Sequence, residues 1–388
     1  MSLKGSSLFV ELLKMGLGRC SDLSYTPLCE EWSEAFEIAY RQSVAGMCFE
    51  GVSRIYDSDG LPESIEFNMA HGTANLTEET YYRLASTVLS IQESNESVDS
   101  KCIKVQKIIA DAGLGSSIIK GQGLTSYYGD LAHLRHSGDI DILVDAEKDK
   151  IIEFVLSKCP DAHTIMSHHF VMPVFKNVGV EVHFKPAEMC SPFAQRRFMK
   201  WYQSMHDNVY NNSVALSGGD CIVAPGVEFN LVFILLHIYK HLFAEGIGLK
   251  QVVDYYFVLK ASDTTMRAKA FETIKSLKMD RFAGALMYVL QETCGLEDYF
   301  LICPVDKKEG KWLLNDILEN GNKGQGREIR LVRPDDGAWF RFRTMTAFNL
   351  RLLTHYPQEA LWFPFFKIWH YPWRKHMERV IRKKVAAV

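Results

Sequence analysis

The sequence lacks the signature motifs of several common protein classes. No two of its nine cysteines are spaced as CxxC, so neither a zinc ribbon nor a thioredoxin-type redox site is expected. It contains no GxxxxGKS/T phosphate loop, no GxSxG elbow and no HExxH helix. Its 44 lysines and arginines nearly balance its 47 aspartates and glutamates, which argues against broad, nonspecific binding to nucleic acid.

Long hydrophobic runs are also lacking. The longest strongly apolar run, Leu231–Leu236, has six residues, whereas a membrane helix needs roughly 20. Glu11 and Lys14 interrupt the first apolar stretch before it reaches the length of a secretion signal. The scattered cysteines are interpreted as free or buried thiols in a reducing compartment. The sequence therefore predicts a soluble, cytoplasmic protein with no integral membrane segment.

The 388 residues are 47% hydrophobic, which is enough for two or three domains with real cores. Helical periodicity is predicted over residues 1–112 and again over 221–388, with a charged, glycine-containing linker at 304–335. The period changes over 113–220, where strands are predicted at 116–119, 139–145, 163–167, 170–175 and 180–184, and a helix at 148–158. The predicted fold class is α+β, a mixed-sheet domain flanked by two helical regions.

The most informative segment is the acidic strand around residue 140. In Asp139-Ile-Asp-Ile-Leu-Val144, side chains alternate across the strand, so Asp139 and Asp141 share one face. Two like charges at this spacing repel, and Mg²⁺, which prefers carboxylate oxygens and substrate phosphates, removes the conflict. The alternative is that the two aspartates merely end a strand at a solvated edge.

A second strand repeats the pattern. Val180-Glu-Val-His183 places Glu181 and His183 on one face. If this strand neighbours the acidic one, Glu181 completes a cluster of three carboxylates that can hold two divalent ions.

Several segments together resemble a known family. These are Ile118-Ile-Lys-Gly121, Tyr127-Tyr128, Arg135 with Gly138-Asp-Ile-Asp-Ile-Leu-Val144, the later Glu-Val-His, and His237-x-x-Lys-His241 with Gly248-Leu-Lys-Gln-Val-Val-Asp254. The pattern resembles the nucleotidyltransferase fold of the DNA polymerase β superfamily, and is most similar to its "uncharacterised nucleotidyltransferase" family. The resemblance spans roughly residues 100 to 260.

This resemblance implies a set of roles. Gly121 would open a helix whose N-terminus faces the nucleotide phosphates, Asp139 and Asp141 would bind Mg²⁺ or Mn²⁺, and Glu181 would be the third carboxylate. The implied substrate is a nucleoside triphosphate. Two features depart from the superfamily: Lys120-Gly-Gln-Gly123 replaces the usual Gly-Ser or Gly-Gly, and the spacing from Gly121 to Asp139 is longer than in many members.

Further residues are candidates for nucleotide contact. Lys120 would add a point charge on the triphosphate, or else is a surface lysine. Arg135 would contact phosphate or balance charge, or pair with the aspartates. Gln122 and Ser137, which flank these residues, complete this part of the predicted nucleotide site.

A polar stripe also follows the apolar helix predicted after Pro225. Asn230, His237, His241 and Glu245 fall on one face, with Lys240 to one side. We expect His237, Lys240 and His241 to contact the nucleotide or acceptor. Zinc binding by the i, i+4 histidine pair and a hydrogen-bonded structural role are the alternatives.

Two motifs remain without a firm assignment. His168-His169 is either adjacent to a metal or an ordinary strand edge. Residues 365–388 carry a net charge of +6 next to many aromatics, which suits a membrane surface, RNA or a protein partner. The alternative is a final helix packed on the body with a solvated basic face. Pro364 and Pro372 are expected to break any long helix here.

The sequence thus predicts a metal-dependent nucleotidyltransferase that moves a nucleoside monophosphate from an NTP to an acceptor hydroxyl or phosphate. The acceptor is left open among a small molecule, a sugar, a protein and RNA. Two other hypotheses stand beside it. One is a catalytically silent nucleotide-binding or scaffold module, and the other is a toxin-like transferase acting on tRNA or protein.

Overall fold

The computed structural model describes residues 3–57, 75–216, 218–244, 246–320 and 337–386. Within these ranges the chain is mostly helical and carries one small mixed sheet, as the α+β prediction requires. The N-terminal helices are α1 (Leu3–Gly16), α2 (Cys29–Arg41), α3 (Ala45–Asp57) and α4 (Glu78–Ala110).

The long helix α4 begins directly after a capping residue, Thr77. The Thr77 hydroxyl accepts a hydrogen bond from the Thr80 backbone N–H at 3.3 Å, and Glu78 and Glu79 lie in the first turn. The helix continues through Asn95 without a break. Asn95 is buried and donates to the His133 carbonyl at 2.8 Å, so a tertiary contact holds this polar residue inside the helix.

The central sheet has the strand order β1-β2-β4-β3. Its strands are β1 (Ser116–Ile118), β2 (Ile140–Val144), β3 (His169–Val171) and β4 (Val180–His183). β1 runs antiparallel to β2, β2 parallel to β4, and β4 antiparallel to β3. The segment predicted as a strand at 163–167 forms only an isolated bridge between Ile165 and Phe170.

Helical and hairpin segments surround the sheet. A kinked 3-10 segment, Gly121–Leu134, joins β1 to β2 and turns at Gly129, whose φ is +55°. The others are α5 (Lys148–Lys158), α6 (Pro192–Gln203), α7 (His206–Tyr210) and the hairpin β5 (Ser213–Ala215) with β6 (Cys221–Val223).

The C-terminal region is helical. Its helices are α8 (Val227–Ala244), α9 (Leu249–Lys260), α10 (Thr264–Ser276), α11 (Asp280–Cys294), α12 (Lys307–Asn320), α13 (Ala338–Leu350) and α14 (Pro357–Ala386), with a 3-10 turn at Asp298–Phe300. Helix α8 is long and apolar enough to cross a membrane, but 67% of it is buried inside the protein. Helix α8 is therefore a core helix of the protein.

Two buried hydrophobic clusters lie on the two faces of the sheet. One contains Ile140, Ile142 and Val182 with side chains from α5 and the C-terminal half of α4. The other contains Ile119 and Leu143 with most of the N- and C-terminal helices. Because successive strand residues point to opposite faces, Asp141 and Glu181 project toward the second side.

Two further sequence expectations, besides the strand at 163–167, are wrong for the described residues. The linker predicted at 304–335 contains helix α12, whose Leu313 and Ile317 are fully buried; residues 321–335 lie outside the described part. Helix α14 continues through Pro364 and Pro372. Each proline inside a helix costs about 3 kcal/mol, and burial of Phe363, Met377 and Ile381 along α14 offsets the two costs.

Candidate active site

The register of the sheet brings two acidic side chains together. In the parallel pair of β2 and β4, Asp141 is the direct partner of Glu181. The Asp141 side chain is largely buried (13% exposed), while that of Glu181 is 29% exposed. The two predicted metal ligands therefore lie side by side on one face of the sheet.

The segment after β1 adds a positive charge to this pair. The Ile119 backbone N–H donates to the Asp141 carbonyl at 3.0 Å, and the Lys120 Nζ lies 2.7 Å from Asp141 Oδ1. Gly121 follows with φ +55°, a left-handed conformation that favours glycine. The predicted Lys120-Gly121 element thus adjoins the acidic pair.

His183 links the two carboxylates. Its Nε2 lies 2.9 Å from Asp141 Oδ1 and 3.5 Å from Glu181 Oε2. Burial alone would raise the pKa of Asp141, but the Lys120 ammonium and the His183 hydrogen bond hold that pKa well below its usual value. Burial opposes the charged form of His183, yet hydrogen bonds to Asp141 and Glu181 raise its pKa above 6.5. Asp141 is thus ionised, and Lys120 and His183 balance its charge.

Asp139 lies just before β2 and is exposed. The residue opposite it is Gly179, whose carbonyl accepts the Ile140 backbone N–H at 2.8 Å. A Cβ added at Gly179 would lie 2.8 Å from Asp139 Oδ1, so the carboxylate occupies the space that the glycine leaves.

The donor atoms suit a hard divalent cation. Ligand atoms of Asp141, Glu181 and His183 lie within 4.8 Å of one another. Among the described residues, this group does not include Asp139, which stands at the exposed end of the same strand. Two carboxylates with a third nearby match the oxygen preference of Mg²⁺ and Mn²⁺.

Gln122 and Ser137 take part in a buried network rather than facing an open cleft. The Ser137 hydroxyl contacts Gln122 Oε1 at 2.9 Å and also Asn95 Oδ1. The Gln122 amide donates to Asp99. These contacts tie the Lys120-Gly121 turn to helix α4.

Arg135 lies in a buried ion pair with Asp254. The Arg135 Nε and Nη2 donate to the two Asp254 oxygens at 2.7 and 2.9 Å, and the Tyr128 hydroxyl donates to Asp254 Oδ1 at 2.6 Å. Burial disfavours the Arg135 charge, but Asp254 raises its pKa above the ordinary value. Arg135 therefore balances the charge of Asp254, and not that of Asp139 or Asp141.

Helix α8 places His237 near the candidate site, close enough for the charge of Lys120 to act on it. His237 and His241 are hydrogen-bonded Nε2 to Nε2 at 3.1 Å. Burial, then the positive charge of Lys120, lowers the pKa of His237. Lys240 is turned toward α14, with its Nζ 3.4 Å from Glu359 Oε1. Glu245, predicted on the same stripe, lies outside the described residues.

Three contributors were not assigned to the site from sequence: His183, His169, which was left between a metal neighbour and a strand edge, and Gly179. Alternation along β4 already placed His183 on the face of Glu181, and this was the available signal. His169 is brought in by its pairing with His183 across β3 and β4, and Gly179 by standing opposite Asp139. Both depend on strand register, which short strands do not specify from sequence.

Acidic side chains on adjacent strands beside a lysine-glycine turn are typical of enzymes that handle metal-bound phosphates. A model of the uncharacterised nucleotidyltransferase family matches residues 29–295, which is more than half of the chain, so the chain belongs to this family. The match contains the whole candidate site and extends beyond the resembling segments at both ends. No match is found among curated proteins, and none among solved structures.

Proposed function

We propose that this protein is a metal-dependent nucleotidyltransferase. It transfers a nucleoside monophosphate from an NTP, such as ATP, to an acceptor hydroxyl or phosphate and releases pyrophosphate. The observation that carries the proposal is the Asp141–Glu181 register pair with Lys120 Nζ 2.7 Å from Asp141, in a chain of this family.

Asp141 and Glu181 would hold a divalent ion, with Asp139 at the exposed end of the strand as a further ligand. Mg²⁺ or Mn²⁺ bound there supplies charge neutralisation of the triphosphate and a lower pKa for the acceptor oxygen. Glu181, the more exposed of the pair, would either hold the metal or accept the acceptor proton. Lys120 and the backbone at Gly121 would orient the phosphates.

Buried polar contacts around the site hold its two segments in place. The buried network of Gln122 and Ser137 fixes the phosphate-facing turn, and the Arg135–Asp254 pair anchors the segment that leads into β2. Pre-positioned charge is the main way in which such sites accelerate phosphoryl chemistry. All nine cysteines are free, which supports the proposed cytoplasmic location.

Position-specific labelling tests this proposal. Purified protein is incubated with Mg²⁺ and each NTP, labelled either at the α- or at the γ-phosphate, with fractions of small molecules, protein and RNA as acceptors. The proposal predicts that the α-label moves to an acceptor and the γ-label leaves as pyrophosphate. Transfer of the γ-label would instead indicate a kinase, and tight binding without transfer of either label would indicate a silent module.

Gly179→Ala should weaken metal dependence without unfolding the protein. The new Cβ would meet Asp139 Oδ1 at 2.8 Å, so the exposed carboxylate has to move. We expect about a tenfold higher Mg²⁺ requirement for α-label transfer and a loss of unfolding free energy below about 1 kcal/mol. Gly115→Ala is the matched control, since its Cβ would make an ordinary 3.5 Å contact with Asp145. An unchanged Mg²⁺ requirement would exclude Asp139 from the site.

Lys120→Met should tighten the binding of Mg²⁺ alone and weaken the binding of NTP in the presence of Mg²⁺. Removing the ammonium frees Asp141 from its ion pair, so Mg²⁺ binding without nucleotide should tighten. NTP binding in the presence of Mg²⁺ should weaken by about tenfold, because a charge-assisted contact to phosphate is lost. Isothermal titration measures both affinities, with Lys150→Met at an exposed position of α5 as the control. Weakening of both affinities would show that Lys120 has only a structural role.

A further inference from the structure

Three histidines form a compact group beside the acidic pair. His169 is the register partner of His183 across β3 and β4, and His168 immediately precedes β3. Their ring centroids are 4.6 Å (His168–His169), 5.1 Å (His169–His183) and 5.3 Å (His168–His183) apart. The three rings therefore stand at the corners of a nearly regular triangle.

This spacing matches three imidazoles on one metal ion. A zinc–nitrogen bond of about 2.0–2.1 Å places each ring centroid about 3.2 Å from the metal. At tetrahedral angles, centroids at that distance are about 5.2 Å apart. The observed triangle of 4.6–5.3 Å brackets this value.

The nitrogen atoms and their neighbours support the same interpretation. Each ring offers a nitrogen that lies within 4.8 Å of the other two. The Nδ1 atom of His183 is buried without a hydrogen-bond partner in the described structure, which is costly unless a ligand satisfies it. His183 is 1% exposed and His169 is 8% exposed.

Two carboxylates and a hydroxyl lie next to ring nitrogens of the three histidines. The Nε2 of His183 is bonded to Asp141 at 2.9 Å, the arrangement in which a metal-binding histidine gives its second ring nitrogen to a carboxylate. The Nδ1 of His168 lies 3.3 Å from the Ser167 hydroxyl, and Glu181 Oε2 lies 3.3 Å from His169 Nδ1. Such partners fix the orientation of the rings.

We propose that His168, His169 and His183 form a site for a divalent transition metal such as Zn²⁺, adjoining the carboxylate site for Mg²⁺, with the Nε2 atom of His183 facing the carboxylates and its Nδ1 atom serving the transition metal. Imidazole nitrogens select Zn²⁺, Co²⁺ or Ni²⁺, whereas Mg²⁺ takes oxygen ligands. The site goes beyond the proposed nucleotide transfer and does not depend on it. Through the bond from His183 to Asp141, a metal bound here would also fix the orientation of the Asp141 carboxylate.

Cobalt provides a direct spectroscopic probe of this site. The full chain is stripped with a chelator and titrated with Co²⁺, whose visible absorption is intense in tetrahedral nitrogen sites. In the presence of excess Mg²⁺, which would occupy the carboxylate site, we expect one tetrahedral Co²⁺ per chain, and we expect Zn²⁺ to displace it. His168→Gln and His169→Gln should each weaken Co²⁺ binding by about 100-fold or more. His206→Gln, at a half-exposed histidine paired with Asp145, should leave Co²⁺ binding unchanged.

Two further readouts separate this proposal from the others. Zn²⁺ should raise the melting temperature of the stripped wild-type chain but not that of a folded His168→Gln variant. Asp139→Asn should retain Co²⁺ binding, because Asp139 is not one of the three histidine ligands. Failure of the proposed nucleotide transfer would therefore not contradict the histidine metal site. Co²⁺ binding that survives both histidine variants, or that Mg²⁺ displaces at equal concentration, would overturn the proposal.

Discussion

Asp141→Asn is expected to abolish nucleotide transfer while the protein stays folded. Asp141 is the residue on which Lys120, His183 and the proposed metal ion all converge. Asparagine keeps the size of the side chain and one acceptor oxygen, but it removes the charge that balances two cations. We expect α-label transfer to fall by about 10³-fold, the scale of removing a central electrostatic contact in an active site.

The matched control for this variant is Asp145→Asn. Asp145 follows the same strand but is half-exposed and pairs with the surface residue His206 at 3.0 Å. We expect wild-type transfer from this control and circular dichroism spectra of the wild-type form from both variants. Wild-type activity in Asp141→Asn would remove Asp141 from the chemistry.

Asp254→Asn is expected to cost about 3 kcal/mol or more in the free energy of unfolding. Asp254 accepts two hydrogen bonds from Arg135 and one from Tyr128, and both charged residues are buried. Without the carboxylate, the guanidinium charge is left buried and uncompensated, and broken buried pairs cost about 3–5 kcal/mol. Equilibrium unfolding in urea measures this loss.

The exposed pair Arg83–Glu37 provides the comparison. Its side chains are 57% and 58% exposed, so Glu37→Gln should change the free energy of unfolding by less than about 1 kcal/mol. The double variant Arg135→Met with Asp254→Leu should recover part of the stability, because it leaves no unpaired charge. A loss below about 1 kcal/mol in Asp254→Asn would show that Arg135 is not dependent on this partner.

The parts of the site that were predictable from sequence depend on local periodicity. The alternation of side chains along β2 and along β4 predicted the face of its own strand on which Asp141 and Glu181 each lie. The structure confirms that these two strands are neighbours. The same alternation put Asp139 with Asp141. However, strand pairing begins at Ile140 and leaves Asp139 exposed at the strand end, opposite Gly179.

The parts that were missed depend on contacts between distant segments. Arg135 and Asp254 are 119 positions apart, and nothing in either local sequence shows that they pair. Helix α14 persists through two prolines because buried side chains on both sides hold it, which local propensity does not reveal. Gln122 and Ser137 were assigned to the nucleotide, whereas their partners on α4 became visible only in the fold.

The most direct test of the account is a crystal of the protein grown with Mn²⁺ and a non-hydrolysable NTP. Anomalous scattering locates Mn²⁺, and the electron density of the triphosphate shows what it contacts. We expect Mn²⁺ bound at about 2.1–2.2 Å to carboxylate oxygens of Asp141 and Glu181, with the triphosphate reaching Lys120. Mn²⁺ and triphosphate bound away from both carboxylates would contradict it.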